Sequence, residues 1–369
     1  MTVADDYTPS PDFIAPLLRW FREAAAELPW RSTRDPYRIW LSEIMLQQTQ
    51  IVTVIPYYEK FIAAYPRVHD LAAAEQSAVL KRWEGLGYYS RARNLHKTAQ
   101  IVATEYGGTF PTTAEGLQNL PGIGRYTAGA IASIAYAEPA PVLDGNVIRV
   151  FARLFDIPDD VRAATTKTRL WTLAERLVPA EKPGDYNQAL MELGQTICTP
   201  RRPRCDECPV RAHCRAFAAG TQAERPVKSK RAPTPHYDVT AGIIRDDTGH
   251  ILIAQRPQDK LLGGLWEFPG GKQEPHETLE DCLARELREE LGIRVAVGLF
   301  FMQVKHAFTH FKITLHVFEC RYLPEGGPPQ ALGCAAWQWV SEGALNDYAF
   351  GKADRQIILE LAARKSKLL

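Results

Sequence analysis

Hydrophobic positions recur with two different periods along the chain, and the change of period divides it. Near the N-terminus apolar residues repeat about every 3.6 residues, as in an amphipathic helix, at Phe13, Leu17, Leu18, Trp20 and Phe21. Asp12 is placed to cap this helix, which we expect to end before Pro29. In the C-terminal third, residues 237–245 and 250–255 alternate on either side of a turn sequence, Asp246-Asp247-Thr248-Gly249, which predicts a β-hairpin.

A second long helix is expected after Asp35-Pro36, and we expect it to contain both Glu43 and the polar run Gln47 to Gln50. Glu43 has apolar neighbours on both sides, so partial desolvation should raise its pKa toward the range that suits a general acid. The plain alternative is a glutamate on the exposed face of an amphipathic helix.

A Pro-rich, basic stretch without periodicity, residues 225–235, separates the two patterns. We therefore predict a multidomain chain with a helical domain over residues 1–220, a linker over 221–235 and a second domain over 236–369. In the second domain a helix is expected from about Thr278 to Leu291 after the hairpin. This order of elements predicts an all-α domain followed by an α+β domain.

The composition of the chain says little about which partners the protein binds. The chain has 369 residues, of which 46% are hydrophobic and 24% charged, and its formal net charge is +1. Any contact with nucleic acid must therefore come from local basic segments. Apolar runs long enough to span a membrane are absent from the sequence, and residues 1–11 lack the pattern of a signal peptide. The expected location is cytoplasmic, without a membrane partner.

Four of the seven cysteines form a cluster with the spacing C-x6-C-x2-C-x5-C: Cys198, Cys205, Cys208 and Cys214. Four thiolates over so short a segment indicate either a zinc site or a [4Fe–4S] cluster. Zinc ribbons usually pair two C-x2-C knuckles, and this segment has one, which favours the iron–sulfur cluster. Five arginines between 201 and 215 supply local positive charge for phosphate contacts, or balance the charge of the cluster.

The stretch from 120 to 146, LPGIGRYTAGAIASIAYAEPAPVLDGN, combines a turn, a helix and an acid. Gly122 and Gly124 permit a tight turn with open backbone N–H groups before a helix from Tyr126 to about Tyr136, as in a hairpin that grips a DNA phosphate. A plain connection between packed helices is the alternative. Asp144 precedes a helix expected from Val147 to about Phe155, where a helix N-terminus stabilises an anion.

Together, LPGIGRYTAGA and VLDGNVIRV resemble the MutY-type adenine DNA glycosylases of the endonuclease III superfamily. The resemblance implies that Glu43, in SEIMLQQTQ, protonates adenine at N7 and that Asp144 stabilises an oxocarbenium-like sugar. It assigns supporting roles to Tyr126 and Asn146 and implies a [4Fe–4S] cluster on the four cysteines. Bifunctional relatives have a lysine where this chain has Tyr126, so base excision without strand cleavage is expected.

The same resemblance implies contacts with the extruded adenine and with the duplex. Trp30, Arg31 and Gln188 are candidates for reading the adenine. The side chains expected to fill the gap left by the flipped base, or to touch the base opposite, are Gln48, Thr49, Leu86 and Tyr88. Phe308, Thr309 and His310 resemble the family's Phe-Ser-His loop for 8-oxoguanine, with threonine in place of serine. A turn into a strand over 312–318 is the alternative for that loop.

Residues 271–293 match the Nudix pattern G-x5-E-x7-R-E-U-x-E-E-x-G-U at every position and so resemble Nudix domains. Glu286, Glu289 and Glu290 fall at i, i+3 and i+4 of the expected helix and could hold Mg²⁺ against a diphosphate. In MutY-type proteins the corresponding domain commonly has a degraded motif and recognises 8-oxoguanine, so this complete motif is a departure.

The sequence thus predicts a monomeric, monofunctional DNA glycosylase that removes adenine opposite 8-oxoguanine or guanine in double-stranded DNA. One alternative is a Mg²⁺-dependent Nudix hydrolase of nucleoside diphosphates joined to a DNA-binding helical domain. Another is a lesion-binding protein without catalysis, which the presence of both Glu43 and Asp144 disfavours.

Overall fold

The computed structural model describes residues 10–229 and 233–366. By their contacts these residues divide into two compact units, one formed by 10–73 and 97–229 and the other by 74–96 and 233–366. Residues 74–96, inside the predicted helical domain, thus group with the second unit. The predicted linker, 221–235, lies partly outside the described residues, as do the outer ends of both predicted domains. The predicted domain boundaries stay predictions.

Helices make up the regular structure of residues 10–229. In chain order they are α1 (Ile14–Ala24), α2 (Pro36–Leu46), α3 (Ile51–Ala64), α4 (Val68–Ala72), α5 (Gln76–Trp83), α6 (Ser90–Glu105), α7 (Ala114–Gln118), α8 (Arg125–Tyr136), α9 (Gly145–Leu154), α10 (Ala164–Leu177), α11 (Pro183–Thr196) and α12 (Arg215–Ala219). The helical character predicted for this part of the chain is confirmed, and so are the helices expected near 126–136 and 147–155.

The apolar faces of α1, α9, α10 and α11 share one core in the first unit. Phe13, Leu17, Phe151 and Leu190 are buried there, and α11 packs against α1, α8 and α9. Burying these side chains is the main stabilising term for such a helical unit. It also fixes the positions of the polar residues that α8, α9 and α11 carry at their edges.

Two local predictions in this unit are wrong. Asp12 does not cap α1, because Ser10 caps a preceding 3-10 turn, Pro11–Phe13, and Asp12 lies inside that turn. The polar run from Gln47 to Gln50 is not helical. α2 ends at Leu46, Gln48 adopts a left-handed conformation with φ of 57°, and α3 begins at Ile51. Because the run contains neither glycine nor proline, the sequence carries no local signal for this break.

The second unit contains a mixed sheet formed by β1 (His236–Arg245), β2 (Ile251–Gln255), β3 (Trp266–Glu267), β4 (Arg294–Ala307), β5 (Lys312–Leu323) and β6 (Ala336–Val340). The strand order is β3-β2-β1-β5-β4, with β6 also paired to β2. β1 and β5 are parallel and the other pairs are antiparallel. The predicted hairpin is confirmed as β1 and β2.

The sheet has a separate apolar core on each face. Ile243 belongs to one core and its neighbour Ile244 to the other, as alternation along a strand requires. Two further helices, α13 (Leu279–Leu291) and α14 (Lys352–Ser366), contribute to opposite cores. Thr278 caps α13, so the predicted helix is confirmed. Across the described residues, no helix has the length and apolar character needed to cross a membrane.

Candidate active site and cluster loop

A cavity of about 540 Å³ opens in the first unit between α2, α8, α11 and the N-terminus of α9. This volume falls within the range of about 300–1,000 Å³ that is usual for small-molecule sites. Nine of the residues predicted to act on adenine or the duplex line it: Trp30, Arg31, Glu43, Gln48, Thr49, Tyr126, Asp144, Asn146 and Gln188. These residues come from distant parts of the chain, and the packing of the helices brings them together.

Glu43 lies in the last turns of α2 and is 6% exposed. One of its oxygens, Oε2, accepts a hydrogen bond from the Tyr126 hydroxyl at 3.0 Å. Burial raises the pKa of Glu43 to about 7, and the negative charge of Asp144 acts in the same direction, whereas the Tyr126 hydrogen bond and Arg31 lower it. The predicted rise in this pKa is confirmed, and near neutral pH the group can both hold and give up a proton.

Asp144 caps α9 as expected. Its Oδ1 accepts hydrogen bonds from the backbone N–H groups of Asn146 and Val147, at 2.9 and 2.8 Å. Its Oδ2 accepts one from Asn146 Nδ2 at 2.7 Å. Burial raises the pKa of Asp144, while these hydrogen bonds and the charge of Arg149 oppose that rise. Three donors to one carboxylate stabilise the anion, so Asp144 is the member of the pair equipped to stay ionised.

Arg149 connects this carboxylate to the cysteine segment, and the sequence reading did not single it out. Its guanidinium is buried and donates to Asn146 Oδ1 at 2.9 Å, to the Gly194 carbonyl at 2.7 Å and to the Cys198 carbonyl at 2.7 Å. A Cβ atom at position 194 would lie 2.6 Å from the Asn146 Cβ, so glycine is needed for this close approach. Arg149 falls one helical turn after Asn146, a spacing that could have drawn attention to it.

Two further residues of α11 contact side chains that line the cavity. Met191 Sδ lies 3.1 Å from the Tyr126 hydroxyl oxygen, and Glu192 pairs with Arg31 at 2.6 Å. The sequence reading named only Gln188 on this helix. Gln188, Met191 and Gln195 all line the cavity, and their i, i+3, i+7 spacing is the signal that marks one helical face.

Gln48 and Thr49 line the cavity because the chain breaks between α2 and α3. Gln48 is exposed, whereas Thr49 is half-buried with its backbone N–H bonded to the Leu46 carbonyl at 3.2 Å. Because of this break, neither residue continues α2. A continuous helix would have given them a different orientation.

The two glycines of the predicted hairpin play different parts. Gly122 has a φ of 76°, a conformation that favours glycine, and it makes the turn before α8. Gly124 is extended and is the N-cap of α8, which has no capping side chain. A helix N-terminus without a side-chain cap leaves N–H groups available to an anion.

The four clustered cysteines line one small cavity beside Arg153, Arg204 and Arg211. Arg153 is buried and donates to Cys198 Sγ at 3.3 Å and to the Thr199 carbonyl at 2.7 Å. Burial raises the pKa of Cys208 to about 12. In the described part of the chain, no three His, Cys, Asp or Glu side chains are grouped to hold a single metal ion. A four-iron cluster takes one thiolate at each iron, a donor set that these four cysteines can supply.

The turn between β4 and β5 carries the predicted recognition residues of the second unit. Thr309 and His310 are exposed at its tip, and Phe308 packs edge-on against His306 with ring centroids 4.6 Å apart. Tyr88 belongs to the same unit, and its hydroxyl lies 3.3 Å from Thr309 Oγ1. Tyr88 is 43% exposed, whereas Leu86 is buried.

The carboxylates of the Nudix motif lie on α13. Arg285 pairs with Glu277 at 2.8 Å, Glu286 at 3.0 Å and Glu289 at 3.1 Å. Burial, followed by the charges of Glu267 and Glu286, raises the pKa of Glu290 to about 7. In the described residues these carboxylates do not form a group of three arranged for one metal ion. Mg²⁺ binding at Glu286, Glu289 and Glu290 stays a prediction.

Three family profiles match the chain. That of the HhH-GPD superfamily base excision DNA repair proteins matches residues 41–176, that of the iron–sulfur binding domain of endonuclease III matches residues 198–214, and that of the NUDIX domain matches residues 240–360. They confirm the predicted order of a helical glycosylase domain, a [4Fe–4S] segment and a Nudix-like domain. The iron–sulfur match covers the cysteine spacing from its first to its last residue.

Known relatives match most of the chain. It is 40% identical to the adenine DNA glycosylase of Mus musculus, over 90% of this chain and 76% of the relative. It is 38% identical to that of Homo sapiens, over 94% of this chain and 73% of the relative. The solved structure of a thermostable thymine-DNA glycosylase is 32% identical with a TM-score of 0.51, covering 56% of this chain and 96% of that one. The chain belongs to the adenine DNA glycosylase family.

Proposed function

We propose that the protein hydrolyses the N-glycosidic bond of adenine paired with 8-oxoguanine or guanine in double-stranded DNA, without cutting the strand. The observation that carries this proposal is the pair of buried carboxylates in one cavity. Glu43 has a neutral hydroxyl as its hydrogen-bond partner, and Asp144 has three N–H donors. Two carboxyl groups in environments that favour different protonation states are suited to an acid and an anionic stabiliser.

In the proposed reaction Glu43 gives its proton to N7 of the extruded adenine. The C1′–N9 bond breaks, and its electron pair goes to the adenine ring, which leaves as the neutral base. The positive charge that develops on the sugar is stabilised by the Asp144 carboxylate. Water then adds to C1′, and its released proton restores Glu43. Tyr126 and Asn146 support the two carboxylates through the hydrogen bonds described above.

Strand cleavage by a Schiff base needs an amine at the sugar. The residue after Arg125 is Tyr126, and the described side chains that line the cavity include no lysine. We therefore infer base excision alone. The exposed Gly122 and Gly124 before α8 and the exposed Thr309 and His310 are the proposed contacts with the duplex, the first pair with a phosphate and the second with the damaged guanine.

The test is single-turnover release of adenine from duplexes that hold adenine opposite 8-oxoguanine, guanine or thymine, first in EDTA and then in Mg²⁺. We expect fast release opposite 8-oxoguanine, slower release opposite guanine and very slow release opposite thymine, with no effect of EDTA. The strand should stay intact until alkali is added. If no duplex loses adenine while the cluster absorbance is intact, the proposal fails and nucleoside diphosphates become the substrates to test.

A further inference from the structure

The segment between α5 and α6, residues 84–89, is shaped by its own contacts. Gly85, Gly87 and Tyr88 have φ values of 101°, 71° and 47°, so the chain reverses sharply there. The carbonyls of Leu86 and Gly87 accept hydrogen bonds from Arg91 Nη2 at 3.1 and 3.2 Å. The Gly87 carbonyl also accepts one from Trp83 Nε1 at 3.0 Å. This loop is therefore fixed in one conformation and presents Tyr88 outward.

Both ends of the loop are attached to the backbone of one residue, Phe350. The Phe350 N–H donates to Glu84 Oε1 at 3.0 Å, and the Tyr89 hydroxyl donates to the Phe350 carbonyl at 3.1 Å. Lys81 supports Glu84 at 2.8 Å and also donates to the Tyr348 carbonyl at 2.9 Å. We call the pair Glu84 and Tyr89, with their bonds to Phe350, the clamp.

The anchor of the clamp is rigid. Phe350 is fully buried, its ring stacks on Phe268 with centroids 5.8 Å apart, and its backbone bridges to Trp266 of β3. These residues belong to the core on the α14 face of the sheet. Displacing Phe350 would disturb that core, so the two bonds to its backbone tie the loop to the sheet.

We propose that Glu84 and Tyr89 are positioning residues that hold the Tyr88 tip against the Phe308–His310 turn, and that discrimination between 8-oxoguanine and guanine opposite adenine depends on them. This inference rests on the proposed function. The two bases differ by few atoms, so the contacts that distinguish them must be placed accurately. A shift of about 1 Å in the contacting side chains is enough to lose them.

Adenine release itself should depend less on the clamp. Glu43, Tyr126 and Asp144 obtain their hydrogen bonds from α2, α8 and α9, in the other unit. Loss of the clamp should therefore lower the rate opposite 8-oxoguanine and leave the rate opposite guanine nearly unchanged. A general loss of folding would lower both rates by the same factor.

The experiment uses the full-length, cluster-loaded protein and compares Tyr89→Phe, Glu84→Ala and Glu84→Gln with wild type. Single-turnover rates are measured opposite 8-oxoguanine and opposite guanine. We expect the ratio of the two rates to fall about tenfold in Tyr89→Phe and Glu84→Ala, as loss of about 1.4 kcal/mol would give. Glu84→Gln should keep most of the ratio, because its amide oxygen can still accept from the Phe350 N–H.

Tyr37→Phe is the matched control. It also removes a buried tyrosine hydroxyl bonded to a carbonyl, that of Tyr65 at 2.7 Å, but in the first unit. The ratio of its rates opposite 8-oxoguanine and opposite guanine should equal that of wild type. Hydrogen exchange of residues 84–89 provides a readout without substrate, and it should become faster in Tyr89→Phe but not in Tyr37→Phe.

The outcomes separate the two proposals. Folded clamp variants that keep the wild-type ratio, or that lose both rates equally, overturn the role of the clamp. A wild-type protein that releases adenine equally fast opposite both bases has no discrimination for the clamp to control, which also overturns the role of the clamp. A wild-type protein that releases no adenine overturns the proposed function instead. In that case unchanged hydrogen exchange at 84–89 in Tyr89→Phe would also overturn the clamp as the element that holds the loop.

Discussion

Two sets of glutamates and aspartates in this protein have opposite surroundings. In the first unit, Glu43 is paired with a neutral hydroxyl and Asp144 with N–H donors at the start of α9. In the second unit, Arg285 pairs with Glu277, Glu286 and Glu289, and lowers the pKa of Glu277 to about 2. A carboxyl held by a neutral partner in a buried site can exchange a proton near pH 7, whereas an arginine partner favours the ionised form of the carboxyl.

Glu290 shows that a raised pKa has more than one origin. Its pKa also rises to about 7, but there the causes after burial are the neighbouring charges of Glu267 and Glu286. At Glu43 burial dominates and a single carboxylate, Asp144, adds to it. Crowded carboxylates are relieved by a cation, whereas a desolvated carboxyl is suited to proton transfer. Substitutions in the two sets should therefore have very different consequences.

The largest effect is expected from Asp144→Asn. The amide keeps an oxygen to accept from the α9 backbone but removes the negative charge that stabilises the developing sugar cation. We expect single-turnover adenine release to fall by about 10³-fold or more. Asp35→Asn is the control, because Asp35 caps α2 in the same way, accepting from the Tyr37 N–H at 2.9 Å. A rate within tenfold of wild type in Asp144→Asn would remove Asp144 from the mechanism.

Glu43→Gln comes next. Glutamine has nearly the same size but cannot donate the proton, so release should fall by about 10²- to 10⁴-fold. Melting temperature and cluster absorbance serve as controls for folding. Activity that is retained at both pH 6 and pH 8 would show that another group protonates the base.

The pH dependence of wild type follows from the same group. Glu43 acts as an acid only when protonated, and its pKa is about 7. The single-turnover rate should therefore decline above pH 7, approaching about tenfold per pH unit. In Glu43→Gln this decline should be absent from the residual rate. A wild-type rate that is flat from pH 6 to pH 9 would contradict the assignment.

The stability of the protein should respond to the same shift. Because the pKa of Glu43 is raised from its ordinary value of 4.5 to about 7, the folded state holds a proton over this range that the unfolded state has lost. The contribution of Glu43 to stability therefore falls as pH rises through this window. The melting temperature of Glu43→Gln, measured relative to wild type, should therefore be higher at pH 8 than at pH 5.

A smaller effect is expected from Tyr126→Phe. The hydroxyl bonded to Glu43 lowers the pKa of that group, so its removal should raise the pKa and move the decline in rate to higher pH. One neutral hydrogen bond is worth about 1 kcal/mol, which limits the change in rate to several-fold. A shift of the profile to lower pH would show that the hydroxyl has a different role.

The smallest effect is expected from the double substitution Glu289→Gln with Glu290→Gln. These side chains belong to the Nudix motif in the second unit and do not line the cavity that holds Glu43 and Asp144, so adenine release in EDTA should be within about twofold of wild type. Mg²⁺-dependent hydrolysis of nucleoside diphosphates by wild type, lost in this variant, would establish the alternative activity. A large loss of adenine release in the folded variant would instead tie α13 to the glycosylase.

Local signals in the sequence were sufficient for several elements. The helix capped by Asp144 begins where an acid precedes apolar residues at helical spacing, Val147, Val150 and Phe151, and α13 begins after Thr278 as expected. The cysteine segment follows from spacing alone, since its four ligands lie within seventeen residues of chain. In each case the information is contained in residues close together along the backbone.

Other features could not be predicted from such local signals. The helix breaks at Gln48, in the turn between α2 and α3. A run of polar residues without glycine or proline does not predict such a break. The wrong cap, Asp12 in place of Ser10, reflects the usual uncertainty of helix ends. Met191, Glu192 and Arg149 contact residues about 65, 161 and 49 positions away, so their importance depends on how α9 and α11 pack.

The sequence by itself therefore determined which chemistry the protein carries: two candidate acids, a cysteine segment and a Nudix motif, each encoded by short-range spacing. The tertiary structure decided what surrounds each group. It buried Glu43 beside Tyr126 and gave Glu286 and Glu289 a shared arginine, and it attached the Tyr88 loop to Phe350. The physical reason is that the pKa of a side chain and its orientation depend on burial and on partners distant in sequence, which only packing brings into contact.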